Sequence, residues 1–203
     1  MGDLEQLLDF YEKKKVLIRS FINSCSIKND ECLFGEMCFC IMTPQSRAKY
    51  CRQAVNSLKA DKKLFTASEK ELLDYLKGVR FPEVKAQRIV EAREKMPELK
   101  AMLDSEPKEL REWLVENIKG LGMKESSHFM RNIGFKGMAI IDVHIQNFLR
   151  KIGEIESDKS LTKKRYLELE KSFLGLAERI GVPPEELDIA IWLYQSGEEE
   201  FYG

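Results

Sequence analysis

The sequence predicts an all-α protein, and three observations support that fold class. Apolar residues recur at helical spacing nearly throughout, as at positions 4–11, 33–41 and 48–58. The alternation of apolar and polar residues that marks a half-buried strand is almost absent. The chain also contains only 12 glycines and 6 prolines among 203 residues, whereas β proteins with many tight turns usually need more.

Capping residues and helix breakers predict where the helices begin and end. Ser68 and Glu71 have the spacing of a capping box, and Gly78 can end the helix that they start. Pro82 suits the first turn of the next helix. Further breaks are predicted at Pro97, Gly134, Gly153, Gly181 and the pair Pro183 and Pro184. We therefore expect nine or ten helices.

The length of 203 residues allows one large domain or two small lobes. We expect a single domain over residues 1–203, with a candidate boundary between lobes near residues 103–107. The helices on either side of that stretch could equally share one core.

The charges nearly cancel but are unevenly distributed. With 33 basic and 34 acidic residues the net charge is -1, so the whole molecule is not a basic coat for nucleic acid. Residues 117–151 contain six basic and two acidic side chains and both histidines, whereas residues 185–203 contain six acidic and no basic ones. One face could therefore meet an anion, although chance variation among solvated helix faces explains the pattern equally well.

Targeting and cysteine patterns favour an intracellular protein of the cytoplasm or nucleoid, away from membranes. The N-terminus lacks the pattern of a signal peptide, and the longest apolar run, Ile189 to Tyr194, is far shorter than the ~20 residues of a membrane span. An odd number of cysteines without paired CxxC spacing favours reduced thiols over disulfides or a zinc site. The cysteines are Cys25, Cys32, Cys38, Cys40 and Cys51, of which Cys38 and Cys51 lie on apolar helix faces and are expected to be buried.

A helix-hairpin-helix motif is predicted at about residues 107–133. Gly120 and Gly122 flank Leu121, which allows a tight hairpin with uncovered backbone amides, and the next helix begins near Met123. Free amides and the helix dipole together form an anion site that suits a nucleic-acid phosphate without reading bases. A glycine turn between two packed helices explains the same spacing.

Lys124 and Asp142 are the candidate catalytic pair. Lys124 lies in the first turn after the hairpin, where the dipole disfavours its charged form and so favours a neutral, nucleophilic amine that can form a Schiff base with a sugar carbon. Eighteen residues later, Asp142 follows an apolar approach and could face that amine, or simply cap the next helix. Lys124 could likewise be an ordinary solvated lysine, and His144 either a phosphate contact or structural.

Several segments of the sequence resemble those of a known protein family. KGLGMKESSHFMRN and AIIDVHI match the hairpin lysine and the aspartate of the helix-hairpin-helix superfamily of DNA glycosylases. FGEMCFCIMTPQS, RFPEVKAQRIVEAR and LDIAIWLY narrow the resemblance to the compact class of 8-oxoguanine DNA glycosylase/lyases found mainly in archaea and some bacteria. The likeness runs from about Glu31 to Tyr194.

The resemblance implies a two-lobed all-α fold with the active site in the cleft between the lobes and a damaged guanine flipped into it. Lys124 would displace 8-oxoguanine through a Schiff base and then nick the strand by β-elimination, with Asp142 as its acidic partner. The implied DNA contacts are Gly120, Gly122, Lys119, His144 and the inserted Gln45, and the implied base-pocket residues are Trp192 and Phe81.

The resemblance also implies partners and cofactors. We expect a monomer that binds double-stranded DNA containing a damaged base. No cysteine follows Cys51, so an iron-sulfur cluster is not expected, and a monovalent cation could bind hairpin carbonyls at 118–121. The acidic tail SGEEEFYG departs from the basic end usual in this class. The alternatives are a glycosylase for another damaged base and a non-catalytic helix-hairpin-helix module.

Overall fold

The computed structural model describes residues 2–26, 29–156 and 161–197. Over these ranges the chain forms eleven helices and no strand, which confirms the all-α prediction. The helices are α1 (Asp3–Ser24), α2 (Asp30–Met42), α3 (Ala48–Ala60), α4 (Glu69–Tyr75), α5 (Pro82–Glu94), α6 (Met96–Met102), α7 (Pro107–Asn117), α8 (Met123–Asn132), α9 (Val143–Lys151), α10 (Lys163–Ile180) and α11 (Pro184–Ser196).

The expected number of nine or ten helices was too low. Lys95 is both the last cap of α5 and the first cap of α6, so two helices follow one another with a single residue between them. Pro97 lies in the first turn of α6, where a backbone N–H has no acceptor within the helix. Proline, which lacks this N–H, therefore costs no hydrogen bond there. It therefore marks the start of a helix as much as the end of the one before.

The helices form two compact units. The first contains α1 and α9 to α11, and the second contains α2 to α8. The candidate boundary at residues 103–107 lies inside the second unit, in the connection between α6 and α7. The reason is that α2 packs against both α5 and α8, so helices on either side of that connection share one core.

The second unit is built around α2. Nearly all of this helix is apolar, and its residues from Leu33 to Met42 are buried except for Glu36. Helix α3 approaches it closely at Gly35, where an added Cβ would lie 2.6 Å from the Lys59 Cε and 3.3 Å from the Val55 Cγ1. A side chain at Gly35 would therefore displace the end of the Lys59 side chain and press against Val55.

The first unit is built around α11. This helix packs against α1, α9 and α10, and its residues 185–191 are all buried. The Tyr11 hydroxyl of α1 donates to the Glu186 carboxylate, which also accepts from the Arg19 Nε at 3.0 Å. Burial and that carboxylate raise the pKa of Tyr11 to about 12.

Local predictions about caps and cysteines are confirmed. Ser68 and Glu71 form a capping box, and Pro82 is at the start of α5. Cys38 and Cys51 are fully buried, and burial raises the pKa of Cys51 to about 11. None of the helices that the structure describes is long and apolar enough to cross a membrane.

Replacing Glu71 by Gln should make the start of α4 less stable at neutral pH. The Lys63 ammonium at 2.8 Å and the Ser68 N–H at 2.9 Å lower the pKa of Glu71 to about 2. A carboxylate with a lowered pKa stabilises the fold above its ordinary pKa, and this contribution disappears as the pH falls towards 2. Urea unfolding from pH 7 downwards should show the difference between Glu71→Gln and wild type shrinking below about pH 4.5.

Glu69→Gln is the matched control, because Glu69 is an exposed residue in the same first turn. A difference for Glu71→Gln that is constant with pH would contradict the charge argument.

Candidate active site

The hairpin between α7 and α8 has the geometry that its glycines predicted. Gly120 has a φ of +97°, which an L side chain rarely adopts, and Leu121 is buried at 4% exposure. Gly122 is the N-cap of α8 and contributes no side-chain hydrogen bond. The first amides of α8 have no acceptor within the helix, so they are available to donate hydrogen bonds to an anion.

Helices α7 and α8 hold the hairpin from behind. Leu114 of α7 and Phe129 of α8 are fully buried, and the Arg111 guanidinium of α7 donates to the Ser127 hydroxyl of α8 at 3.3 Å. The helix-hairpin-helix motif thus has its own core within the second unit.

Helix α5 holds the hairpin from the side. The Lys119 ammonium donates to the Glu91 carboxylate at 3.1 Å. The side chain of Arg88 lies so close to Gly120 that an added Cβ would be 3.0 Å from its Cδ and Nη1. Two cations, Lys119 and Arg88, therefore stand beside the exposed hairpin amides.

Lys124 is the second residue of α8, in the first turn as predicted. Its side chain is 31% exposed, and its Nζ lies 2.8 Å from the Glu125 Oε1. The ammonium is thus partly screened from solvent and is held by this ion pair in the first turn after the hairpin. An ion pair with the next residue was not anticipated from the sequence, since neighbouring residues on a helix do not normally face each other.

Asp142 lies in the first unit and begins α9. Its Oδ1 accepts from the Ile145 N–H at 2.9 Å, which confirms the predicted cap. The buried segment before it is fixed by Tyr166, whose hydroxyl donates to the Ala139 carbonyl at 2.8 Å and accepts from the Ile141 N–H at 3.3 Å. His144 is half-buried in the first turn of the same helix.

Gln45 occupies a strained position in the turn between α2 and α3. The Ser46 N–H donates to the Thr43 carbonyl at 2.9 Å, which closes a turn with Pro44 and Gln45 at its centre. Gln45 is exposed and has a φ of +59°. A left-handed conformation costs an L residue about 1–2 kcal/mol and is most often retained at functional sites.

The two aromatic candidates have different surroundings. Phe81 is the N-cap of α5 with a φ of +57°, and the residue is 52% exposed, so it is not a core residue. Trp192 is half-buried on α11 in the first unit, beside the helix that carries Asp142 and His144. The acidic tail, residues 198–203, lies outside the described residues.

The predicted site residues therefore fall into two groups. The second unit brings Gly120, Gly122, Lys119 and Lys124 together on one hairpin, and it carries Gln45 and Phe81 on two turns joined by a hydrogen bond from the Arg80 N–H to the Ser46 hydroxyl at 3.0 Å. Asp142, His144 and Trp192 belong to the first unit.

Sequence reasoning missed Lys85 as well as Glu125. Lys85 is buried on α5 and its ammonium reaches the turn that carries Gln45. A signal was available, because Lys85 lies four residues before the buried Ile89 and hence on the apolar face of its helix. A lysine in that position needs acceptors within the fold.

Comparison with known proteins identifies the class and then the family. The similar solved structures are helix-hairpin-helix DNA glycosylases. One of them is the 8-oxoguanine glycosylase/lyase of Methanocaldococcus jannaschii in complex with a 15mer DNA containing 8-oxoguanine, with a TM-score of 0.84 at 33% identity over 97% of this chain and 100% of that one. Within this class, a family model described as 8-oxoguanine DNA glycosylase matches residues 14–182, and the chain belongs to that family.

Curated relatives agree with this assignment. The 8-oxoguanine DNA glycosylase/AP lyase of Korarchaeum cryptofilum is 43% identical over 84% of this chain and 83% of its own length. The protein of the same description from Fusobacterium nucleatum is 38% identical over 90% of this chain and 88% of its own. The resemblance stated from the sequence is thus confirmed over most of the chain.

Replacing Gly120 by Ala should lower the free energy of unfolding by about 1–2 kcal/mol, because Ala pays for the left-handed φ. The added methyl group also meets the Arg88 side chain at 3.0 Å. Urea unfolding of the purified variant measures the change.

Gly175→Ala is the matched control, since Gly175 lies inside α10 with no atom near its Cβ position. It should stabilise the protein by about 0.5–1 kcal/mol. Equal effects of the two substitutions would contradict the conclusion that the positive φ of Gly120 disfavours a side chain.

Proposed function

We propose that this protein is a bifunctional DNA repair enzyme that excises 8-oxoguanine and then cleaves the DNA at the resulting abasic site. The observation that carries the proposal is the position of Lys124, a partly exposed lysine at the mouth of a glycine hairpin, in a chain that belongs to the 8-oxoguanine DNA glycosylase family. A module that only binds DNA needs the hairpin amides but has no use for this lysine.

The first step is displacement of the base. Neutral Lys124 donates the lone pair of its Nζ to C1′ of the damaged nucleotide, and the bond from C1′ to the base breaks. The base leaves with the bonding electrons and takes up a proton that Nζ releases. The bond from C1′ to O4′ then breaks as the sugar ring opens, O4′ takes up a proton from solvent, and a protonated Schiff base remains between Nζ and C1′.

The second step is strand cleavage. Loss of a proton from C2′ expels the 3′ phosphate by β-elimination, and water finally hydrolyses the Schiff base to regenerate Lys124. The lysine supplies the nucleophile and the electron sink, so this route requires no redox cofactor. A monovalent cation is proposed to bind the backbone carbonyls of residues 118–121 in the hairpin. It would support DNA binding and takes no part in these steps.

Asp142 is proposed as the acidic partner in both steps. One of its oxygens accepts the Ile145 N–H, which fixes the carboxylate, and a carboxylate has a second oxygen to accept a proton or oppose positive charge. Tyr166 holds the segment that leads to it, so the group is preorganised.

Double-stranded DNA is the proposed partner, bound by a monomer. The hairpin amides at Gly120 and Gly122, with Lys119, are proposed to bind one phosphate, and His144 another. Gln45 is proposed to enter the duplex in place of the extruded nucleotide, because a base inside the stack cannot be reached by the lysine. Phe81 and Trp192 are proposed to line the pocket for the extruded base.

Replacing Lys124 by Gln should abolish covalent trapping by borohydride on a duplex with one 8-oxoguanine, because Gln has no amine to form a Schiff base. Binding to the same duplex should persist, since the hairpin amides are unchanged. Lys77→Gln, at a lysine with an 81% exposed side chain, is the control and should trap like wild type. If Lys124→Gln forms as much adduct as the wild type, the assignment of Lys124 is wrong. If the wild-type protein is trapped only on an abasic duplex, the lyase activity stands and duplexes with other damaged bases should be tested as substrates.

Replacing Asp142 by Asn separates the cap from the chemistry. Asn is as good an N-cap as Asp, so the free energy of unfolding should fall by no more than the ~1 kcal/mol of the charge and dipole term. The excision rate should fall by about 10²–10⁴, the usual contribution of a general acid or base. Single-turnover excision measures the rate, with the exposed Asp104→Asn as control. An unchanged rate would leave Asp142 as a helix cap only.

A further inference from the structure

Lys85 is a buried charge whose surroundings are unusually specific. It is only 2% exposed. Its ammonium donates to the Met42 carbonyl at 2.5 Å, to the Pro44 carbonyl at 2.8 Å and to the Ser46 hydroxyl at 2.9 Å. Three acceptors match the three N–H groups of a lysine, so the charged form is fully hydrogen-bonded inside the protein.

Two of the acceptors, the Pro44 carbonyl and the Ser46 hydroxyl, belong to the turn that presents Gln45, and the third is the carbonyl of Met42, the last residue of α2 before that turn. The central residue of that turn, Gln45, has a φ of +59°. The Ser46 hydroxyl also accepts the Arg80 N–H at 3.0 Å, and the residue after Arg80 is Phe81, with a φ of +57°. One hydrogen-bonded cluster thus joins the chain neighbours of two exposed residues that both have a positive φ.

We propose that Lys85 is a positioning residue that holds Gln45 and Phe81 in the conformations needed to extrude the damaged base. The inference rests on the proposed function, in which Gln45 enters the duplex and Phe81 contacts the extruded base. It adds a residue that touches neither DNA nor base and acts through the turns that do.

A buried lysine is costly at this position. Burial, with the nearby charges of Arg88 and Arg80, lowers the pKa of Lys85. The three hydrogen bonds offset this cost, and two of them end on the turn that carries Gln45. A left-handed L residue relaxes unless its surroundings fix it, and here the ammonium fixes the carbonyl before Gln45 and the hydroxyl after it.

The test is Lys85→Met, which keeps the length of the side chain and removes the ammonium. Single-turnover excision of 8-oxoguanine from a duplex should fall by about tenfold to a hundredfold, the effect of a small misplacement of a positioning group. Borohydride trapping on a duplex with a preformed abasic site should stay within about twofold of wild type, because no stacked base has to be extruded there. Lys77→Met is the matched control and should resemble wild type in both assays.

The double variant with Gln45→Gly shows whether Lys85 acts through the turn. Gly adopts a positive φ without strain and lacks the inserted side chain, so in that background Lys85→Met should cost less activity than it does alone, because only its effect through Phe81 remains. Fully additive losses in excision would overturn the proposal. So would equal losses in excision and in abasic trapping together with a lower urea midpoint, since these mark a general structural role.

Hydrogen exchange gives a readout that does not depend on activity. In Lys85→Met, peptides covering residues 41–47 and 78–82 should exchange faster, whereas those from α7 and α8 should be unchanged. If the wild type excises no 8-oxoguanine, the proposed function fails while exchange still reports on the turns. Unchanged exchange in both turns would overturn the role of Lys85.

Discussion

The geometry of the second unit depends on the burial of α2. Nine of its 13 residues are buried, and each large apolar side chain contributes about 1.5–3 kcal/mol when it leaves water. Helices α3, α5 and α8 all pack on this surface. The only polar residue in its buried stretch, Glu36, accepts from Arg52 at 2.6 and 2.9 Å and from Asn132 at 3.0 Å, which fixes α3 and α8 in register with α2. The turn that follows α2 and the hairpin that precedes α8 inherit their positions from this core.

The contact between Lys124 and Glu125 is compatible with the proposed role of Lys124 as a nucleophile. A partly exposed ion pair is worth about 0–1 kcal/mol, which is small beside the barrier to glycosidic cleavage. The pair would therefore orient the amine without preventing the proposed reaction. Other contacts fix the glycine hairpin beside Arg88 and the turn next to Lys85 in the second unit and, in the first unit, the segment before Asp142 that Tyr166 holds.

Local features could be predicted from the sequence, and long-range ones could not. The capping box at Ser68, the hairpin at Gly120 and the cap at Asp142 depend on residues within a few positions of each other, so their spacing identifies them. The association of α1 with α9 to α11 joins the two ends of the chain, and no periodicity reports such a pairing. The ammonium of Lys85 likewise meets carbonyls about forty residues earlier. The positive φ of Gln45 and Phe81 could not be predicted either, because neither residue type favours it.

Lys124 is proposed to be the amine that becomes joined to DNA. The most direct test is to reduce the complex formed on a duplex with one 8-oxoguanine, digest it with nuclease and trypsin, and locate the sugar remnant by mass spectrometry. A modified Lys124 resists trypsin, so we expect one adduct on the peptide of residues 120–131 with an uncleaved lysine inside it. A remnant on Lys119, on another lysine or on the N-terminal amine would contradict it.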